Sequence, residues 1–325
     1  MWLKVLTSHY VLKKVYTIVV TYNGIKWIDR CLKSLVNSTH ATSIIVIDNG
    51  SSDETVYFIK SNFNGVQIIE TGKNLGFGQA NNWGMGEAIK NNADYIFLLN
   101  QDAWVEPDSL SSMVQVHEAN TVCGIVSPIH LNGDGTALDA YFLKYLVQSD
   151  IEEYLSANIL NEKSAAHVIE TSFVNAAGWL LSKDCIKRIG GFDPIFFHYG
   201  EDRNYTQRVI YHGFKILIDT RSQIFHDREL RIAKVTDVKS QFKTDWINDL
   251  NYFCDIHNGK HELLILKRIL KYCLLLVVNV GKWNRSKCEY YFKMLKNIVR
   301  SLTRISKSRK TSLEKGSMPY INLLT

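Results

Sequence analysis

One stretch, Tyr95-Ile96-Phe97-Leu98-Leu99-Asn100-Gln101-Asp102, constrains the fold of this chain more than any other part of it. An apolar run that ends in polar residues is typical of a buried strand whose carboxyl end opens into a cleft. In open α/β sheets, ligands bind beyond the carboxyl ends of the strands. The stretch therefore predicts a central strand that carries Asp102 to a cleft. An Asp at this position is also favoured by strand-to-loop turns on local grounds alone.

Further apolar runs upstream predict more strands, each followed by a polar segment and most by a helical pattern. They cover residues 15–20, 44–47 and 66–69. This alternation predicts an α/β fold with a Rossmann-like, mostly parallel sheet covered by helices. Right-handed crossovers place the strand ends at one edge. We therefore expect Thr21, Asp48 and Asp102 to meet there.

Glycines follow the third predicted strand in the segment 74–82, which includes Asn74, Gly76, Gly78 and Asn81. The GxGxxG spacing of dinucleotide-binding sites is absent, and this excludes a nicotinamide site. The glycines either permit a tight entry into the next helix or allow close approach of the backbone to a nucleotide.

Charge is unevenly distributed along the 325 residues, whose net charge is +6. Residues 231–325 hold 19 Lys and Arg against 7 Asp and Glu, a net charge of +12, which leaves −6 for residues 1–230. A basic tail on an acidic body predicts contact with anions, such as phospholipid head groups, nucleic acid or a phosphorylated carrier.

The six cysteines show no CxxC pairing, and the amino terminus lacks a secretory apolar region. These features favour a reducing, cytoplasmic setting. The longest apolar run, residues 272–278, is far shorter than the roughly 20 residues of a spanning helix. We therefore expect a cytoplasmic protein, either free or peripheral at the inner face of the cell membrane.

A basic amphipathic helix is predicted near the carboxyl terminus. Its apolar residues follow a 4-3-4-3 spacing: Tyr291, Leu295, Ile298, Leu302 and Ile305. Such a helix either lies on an anionic membrane or packs on the body with its basic face in water.

Two further features have both a structural and a chemical interpretation. The acidic pair Glu201-Asp202 begins a predicted helix. Acids at that position stabilise helix N-termini, but a carboxylate beside an aromatic run also serves as a general base. His226, after an apolar pair, is either a hydrogen-bonded structural histidine or a metal ligand.

The ordered set of motifs resembles the family 2 glycosyltransferases over about residues 15–228. The resemblance is closest to the bacterial rhamnosyltransferase-like and galactofuranosyltransferase-like branch. The motifs are Thr21-Tyr22-Asn23, Asp48-Asn49-Gly50-Ser51, Asn74-Leu75-Gly76-Phe77, Asn100-Gln101-Asp102, Gly190-Gly191-Phe192-Asp193 and Glu201-Asp202.

The resemblance implies a GT-A catalytic domain over residues 14–230, followed by a basic helical extension over 231–325. It also implies an inverting transfer from a UDP- or dTDP-sugar to a hydroxyl of a growing bacterial surface polysaccharide. The expected acceptor is a glycan or lipid-linked glycan, in particular one carried on a polyprenyl lipid, and the expected cofactor is Mg²⁺ or Mn²⁺.

Roles for individual residues follow from their positions in the motifs. Asp102 and His226 are expected to bind the metal, and Asp202 to act as general base with Glu201 beside it. The residues expected to line the donor are Thr21, Tyr22, Asn23, Asp48, Asn49, Asn74, Gly76, Asn81, Asn100 and Gln101. Asn100 and Asn204 stand where related sequences often carry Asp.

Two alternatives remain open at this point. A sugar nucleotidyltransferase would share the sheet and the metal-binding acid, but its first loop should be glycine-rich and basic. The loop after Val20 offers only Gly24 and Lys26. Asn100 and Asn204 would also suit a non-catalytic homologue that binds nucleotide sugars. Binding of nucleic acid is not expected, because basic and aromatic residues are not interleaved on a recognisable module.

Overall fold

The first half of the chain forms the parallel part of a central sheet. A computed structural model describes residues 12–147, 151, 152, 154, 156, 167–228 and 238–321. The strands here are β1 (Val15–Thr21), β2 (Thr42–Asp48), β3 (Gln67–Glu70) and β4 (Tyr95–Asn100). The helices between them are α1 (Ile28–Val36), α2 (Thr55–Asn62) and α3 (Phe77–Lys90). Because β1 pairs in parallel with β2 and β4, Thr21 lies opposite Asp48 at the carboxyl edge.

The second half adds strands that run in both directions. The strands are β5 (Ala103–Val105), β6 (Cys123–Asn132), β7 (Val168–Thr171), β8 (Gly178–Ser182) and β9 (Lys215–His226). The helices are α4 (Ser109–Ala119), α5 (Ala140–Leu146), α6 (Lys183–Ile189) and α7 (Glu201–Tyr211). The sheet order is β3-β2-β1-β4-β8-β6-β9-β5, and β7 pairs with β9.

The α/β class is confirmed, but the sheet is mixed where a mostly parallel one was predicted. Strand β8 runs antiparallel to both of its neighbours, β4 and β6. Its residues Trp179 and Leu180 are fully buried. An apolar run reports burial on both faces of a sheet and carries no information about strand direction, so the pattern could not reveal this inversion.

Helices cover both faces of the sheet and enclose two apolar cores. One core packs α3, α5, α6 and α7 on the sheet, and the other packs α1, α2 and α4 on the opposite face. This three-layer arrangement leaves the strand ends as the place where polar side chains gather.

Three helices follow the sheet: α8 (Val238–Cys254), α9 (His261–Gly281) and α10 (Arg285–Leu313). They share a third apolar core with Ile195 and Phe196, which lie just before α7. The predicted boundary between the catalytic domain and the extension, at 230/231, lies outside the described residues. Beyond α10 the chain returns to the body, where the Gly191 N–H donates to the Pro319 carbonyl at 2.8 Å.

The apolar stripe predicted near the carboxyl terminus is largely the packing face of α10. Ile298 and Ile305 are fully buried, and Tyr291 and Leu295 pack against the third core. Leu302 alone of the stripe is exposed. Of the two arrangements considered for this stripe, the structure shows packing on the body. Within the described ranges, we find no helix whose length and apolar character would let it cross a membrane.

Candidate active site

Strand pairing brings Asp102 against His226. Strand β5 begins directly after Asp102 and runs antiparallel to the end of β9, so that Ala103 lies opposite His226. The Asp227 N–H donates to the Asp102 carbonyl at 2.9 Å and fixes the register at this end. As a result, His226 Nε2 lies 3.3 Å from Asp102 Oδ1.

Behind His226 lies an ion pair that the sequence analysis did not anticipate. Arg228 Nε donates to Asp139 Oδ2 at 2.9 Å and lies 3.2 Å from His226 Nδ1. Asp139 Oδ2 is itself 3.7 Å from that ring nitrogen. Asp139 is buried, and its other oxygen accepts from the N–H groups of Tyr141 and Phe142 at the start of α5. The signal that could have located it was an Asp directly before an apolar helical run, as at an N-cap.

The donor atoms around His226 fit a hard divalent cation. A separation of 3.3 Å between Asp102 Oδ1 and His226 Nε2 suits adjacent ligands on one ion, which lie about 3 Å apart when each is about 2.1 Å from the metal. Asn100 Oδ1 is buried without a hydrogen-bond partner, and the same amide group lies beside His226, with Nδ2 at 3.4 Å. In the described part of the chain, no three His, Cys, Asp or Glu residues form a metal-binding group. The protein offers few ligands, as is usual where substrate phosphates supply the rest.

A second set of polar residues lines the ends of β1 and β2. Thr21 Oγ1 donates to Asp48 Oδ1 at 3.1 Å. Asp48 Oδ2 accepts from the N–H groups of Gly50 and Ser51 at 3.2 Å and 3.0 Å. Asp48 therefore shapes the loop after β2, and its carboxylate is buried.

Asparagines 49 and 74 tie this loop to the entry of α3. Asn49 Nδ2 donates to Asn74 Oδ1 at 3.1 Å, and Asn49 Oδ1 accepts from the Leu75 N–H at 2.7 Å. Gly76 has φ +82°, and a Cβ on it would lie 2.0 Å from the Phe197 carbonyl oxygen. The structure thus shows the tight helix entry that was one of the two interpretations of these glycines.

Gln101 joins the end of β4 to the loop after β1. Its side chain accepts from the Tyr22 N–H at 2.9 Å and donates to the Tyr22 carbonyl at 3.2 Å. Asn23 adopts a left-handed backbone, and its Oδ1 accepts from the Ser52 N–H at 2.8 Å. The Tyr22 side chain is 47% exposed beside these contacts. Asn81 lies further along, buried within α3, where Nδ2 donates to the Phe77 carbonyl at 3.0 Å.

The acidic pair stands at the start of α7. Glu201 is 5% exposed, and its Oε2 has no hydrogen-bond partner. Burial, together with the charge of Asp202, raises the pKa of Glu201 to about 8. Burial also raises the pKa of Asp202, but the Arg203 N–H and the charges of Arg203 and Arg228 oppose that shift. Because two adjacent acids do not ionise together readily, Glu201 is the member of the pair that keeps its proton at neutral pH.

The charge of Arg228 links the acidic pair to the Asp102–His226 pair. The Arg228 guanidinium contacts His226 and Asp139, and the same charge acts on Asp202. Tyr145 on α5 is influenced by charges from both pairs' surroundings. Its pKa is raised mainly by burial and further by the charges of Asp202 and Asp139, while Arg228 and Arg203 oppose the shift.

Stability should depend on pH through Glu201. Folded chains hold its proton up to about pH 8, whereas unfolded chains release it near pH 4.3. The free energy of unfolding should therefore fall between about pH 4.5 and 8, by at most about 1.4 kcal/mol per pH unit from this group.

We expect Glu201→Gln to reduce that slope, as measured by urea unfolding from about pH 5 to about pH 8. Glu106→Gln, at an exposed carboxylate, controls for the substitution itself. Parallel slopes for the wild type and Glu201→Gln would contradict a buried, protonated Glu201.

A buried arginine supports the glycine segment that precedes α7. Arg208 donates to the carbonyls of Ile189 and Gly191 at 2.8 Å and 2.6 Å. Asn204 Oδ1 accepts from Arg208 Nε at 3.1 Å. Asn204, which replaces an expected Asp, therefore positions this arginine. On the other side of the segment, Asn82 bonds both the N–H and the carbonyl of Phe192, at 2.7 Å and 2.8 Å.

Comparison with known proteins agrees with this architecture. A crystal structure of GalNAc-T7 with UDP, GalNAc and Mn²⁺ superposes with a TM-score of 0.55 at 12% identity. The match covers 91% of this chain and 58% of that one, so this chain spans less than two thirds of that protein. The fold is therefore that of the GT-A glycosyltransferases, as predicted.

Sequence comparison identifies the family. Residues 16–174 match the glycosyl transferase family 2. The chain is also 24% identical over 264 residues to N-acetylglucosaminyl-diphospho-decaprenol L-rhamnosyltransferase of Mycobacterium tuberculosis, in strains CDC 1551 / Oshkosh and ATCC 25618 / H37Rv. That match covers 74% of this chain and 84% of the relative. Residues 16–174 are therefore a family 2 glycosyltransferase domain, and the protein is a glycosyltransferase.

Proposed function

We propose that this protein transfers a sugar, with inversion, from a UDP- or dTDP-sugar to a hydroxyl of a polyprenyl-linked glycan. The observation that carries the proposal is the cluster around Arg228, which connects the Asp102–His226 pair to the charge of Asp202. The relative in Mycobacterium tuberculosis is named for transfer to a sugar on diphospho-decaprenol, and this supports a lipid-linked acceptor. Such an acceptor places the reaction at the cytoplasmic face of the cell membrane, in the synthesis of a surface polysaccharide.

Asp202 is the general base of the proposed reaction. Arg203 and Arg228 favour its charge, whereas burial and the charge of Asp202 raise the pKa of Glu201 and keep the proton there. A carboxylate that is partly desolvated accepts a proton from an acceptor hydroxyl more readily than one in water. A single displacement requires one base and inverts the anomeric centre, unlike the double displacement of retaining glycosidases, in which a second carboxylate is the nucleophile.

Asp102 and His226 would hold Mg²⁺ or Mn²⁺, with Asn100 Oδ1 as a further oxygen beside them. A cation there supplies Lewis acidity for the diphosphate that leaves with the nucleotide. With Nε2 on the cation, the neutral imidazole would carry its proton on Nδ1, where Asp139 Oδ2 is the nearby acceptor and Arg228 holds that carboxylate in place.

The donor nucleotide would lie along the ends of β1, β2 and β4. The loops there are fixed by the hydrogen bonds of Asp48, Asn49 and Gln101, and the exposed ring of Tyr22 is available to a base. In this proposal, the catalytic domain covers residues 14–230 and the helical extension covers 231–325.

Asp139→Asn should weaken metal binding without unfolding α5. Asn is as good an N-cap as Asp, so the helix start is preserved while the charge next to His226 is removed. Loss of a partner behind a metal-binding histidine lowers metal affinity about 10- to 100-fold. Titration calorimetry of Mn²⁺ into the protein with UDP measures the change.

Asp134→Asn, at an exposed Asp in the preceding turn, is the matched control. An unchanged affinity would refute the orienting role of Asp139.

A donor screen tests the proposed function. The full chain is incubated with UDP-, dTDP- and GDP-sugars, Mn²⁺ and a polyprenyl-diphosphate-linked N-acetylglucosamine. The expected result is a product with one more sugar, formed from a UDP- or dTDP-donor. Diphosphate release from a nucleoside triphosphate would favour the nucleotidyltransferase. Absence of nucleotide binding in calorimetry would favour the non-catalytic homologue.

A further inference from the structure

Helix α9 is apolar on two opposite faces. Its inner face packs Ile265 and Tyr272 into the third core, where both side chains are 5% exposed. Its outer face repeats apolar residues at intervals of three and four: Leu263, Leu266, Leu270, Leu274 and Val277. These side chains are 47% to 68% exposed. A helix that is apolar on both sides is typical of one that is covered on both sides.

A tryptophan stands at the turn between α9 and α10. Trp283 is 95% exposed and has φ +52°. Lys282 lies in the same turn, Lys287 lies in the first turn of α10, and both side chains are exposed. Tryptophan flanked by basic residues is the composition that anchors proteins at the boundary between water and lipid.

Positive charge follows the outer face of α9 along one edge. Lys267 and Lys271 are exposed and, at 100° per residue, lie within about a quarter turn of the Leu270–Leu274 line. The whole segment 231–325 carries a net charge of +12. An apolar stripe bordered by lysines is complementary to an anionic bilayer, because the stems lie along acyl chains while the ammonium groups reach phosphates.

We propose that the outer face of α9, together with Trp283, docks the protein in the plane of an anionic membrane. In the sequence analysis, membrane contact was one of two arrangements considered for the stripe on α10. That stripe is largely used for packing, whereas α9 leaves a continuous apolar surface.

The helix that carries the docking face packs against the segment that precedes the acidic pair. The inner side of α9 shares its core with Ile195 and Phe196, which lie a few residues before Glu201. Attachment through α9 would therefore hold Asp202 at a fixed height above the bilayer. The inference deepens the proposed function and rests on it for the presence of a lipid-linked acceptor.

Vesicle flotation with the purified full chain tests the inference. Vesicles contain phosphatidylcholine alone or with about one third phosphatidylglycerol. We expect binding to the anionic vesicles to be at least about ten-fold stronger than to the neutral ones, and to weaken as salt increases. Absence of binding to anionic vesicles would overturn the inference.

The double variant Leu270→Gln/Leu274→Gln locates the surface. Both side chains are exposed, so folding should be unaffected, while vesicle binding should fall about ten-fold or more. Trp283→Ser should lower it by a smaller factor. Val36→Gln is the control, since Val36 is equally exposed on α1, and its binding should equal that of the wild type. Binding by the double variant at the wild-type level would overturn the inference. A wild-type dimer that the double variant dissociates would do so as well, because a second copy would then cover this face.

The two proposals fail separately. Flotation needs neither donor nor acceptor, so it reports on the surface of α9 alone. Transfer to a water-soluble acceptor without vesicle binding would refute the docking face, while the proposed reaction would still be supported. Vesicle binding without transfer from any donor would refute the proposed reaction, while the docking face would still be supported.

Discussion

Asp202→Asn is expected to lower the rate of sugar transfer about a thousand-fold while leaving donor binding unchanged. The substitution keeps the shape of the side chain and removes its ability to accept a proton. Asp202 lies at the start of α7, where its Oδ1 accepts from the Arg203 N–H at 2.7 Å. An amide oxygen makes that same contact, so the backbone should not move. The donor loops are on other elements, the ends of β1, β2 and β4, and should remain as they are.

Single-turnover kinetics and calorimetry together separate loss of chemistry from loss of binding. The rate constant for transfer should fall, while the dissociation constant for UDP with Mn²⁺ stays within about two-fold of the wild type. Glu201→Gln is the neighbouring control. It imitates the protonated state that Glu201 already has near neutral pH, so most activity should survive. Full turnover by Asp202→Asn would remove the general base from the mechanism.

The amino-acid pattern predicted β1, β2 and β4 well because those strands are short, largely buried and followed by polar turns. In β4, every residue from Tyr95 to Leu99 is buried, and the strand ends at Asn100, directly before Asp102. The alternation of strands with helices, together with crossover handedness, was sufficient to predict that Thr21 and Asp48 lie together. The pattern did not reveal the direction of β8, because a strand that is buried on both faces shows the same kind of apolar run in either orientation.

The pattern could not reveal contacts between residues that are distant in sequence and ordinary in type. Asp139 and Arg228 carry no motif, and only the pairing of β5 with β9 and the start of α5 bring them to His226. Tyr320 donates to Asp193 Oδ2 at 3.1 Å, which joins the end of the described chain to the glycine segment. Such contacts depend on how the helices and the sheet pack together in the folded protein, and local periodicity does not encode them.

The spacing of apolar residues could not show which helix of the α9–α10 hairpin leaves an apolar face exposed. The stripe at 291–305 and the outer face of α9 both repeat apolar residues at intervals of three and four. Spacing shows that residues share a face but not what covers it. Burial separates the two, since Ile298 is fully buried and Leu274 is 65% exposed.

Asp102→Asn should abolish the dependence of donor binding on Mn²⁺. Asp102 supplies the carboxylate nearest to His226 Nε2, at 3.3 Å, and the neighbouring Asn100 supplies only a neutral amide. Hard cations depend on charged oxygen ligands, so the affinity for UDP in the presence of Mn²⁺ should fall about 100-fold or more. In the absence of metal the affinity should be unchanged, because the loops that surround Asp48 and Asn49 do not depend on Asp102 for their hydrogen bonds.

Paired UDP titrations with and without Mn²⁺ measure this effect. Asp227→Asn is the matched control, because Asp227 is the next carboxylate along this edge and accepts from Trp27 Nε1 at 2.8 Å. It should keep the metal dependence of the wild type. If Asp102→Asn still binds UDP more tightly with Mn²⁺ than without it, the cation must be held elsewhere, and the Asp102–His226 pair would lose its assigned role. The expected order, with Asp227→Asn close to the wild type and Asp102→Asn indifferent to Mn²⁺, would assign the metal to the place where β5 meets β9.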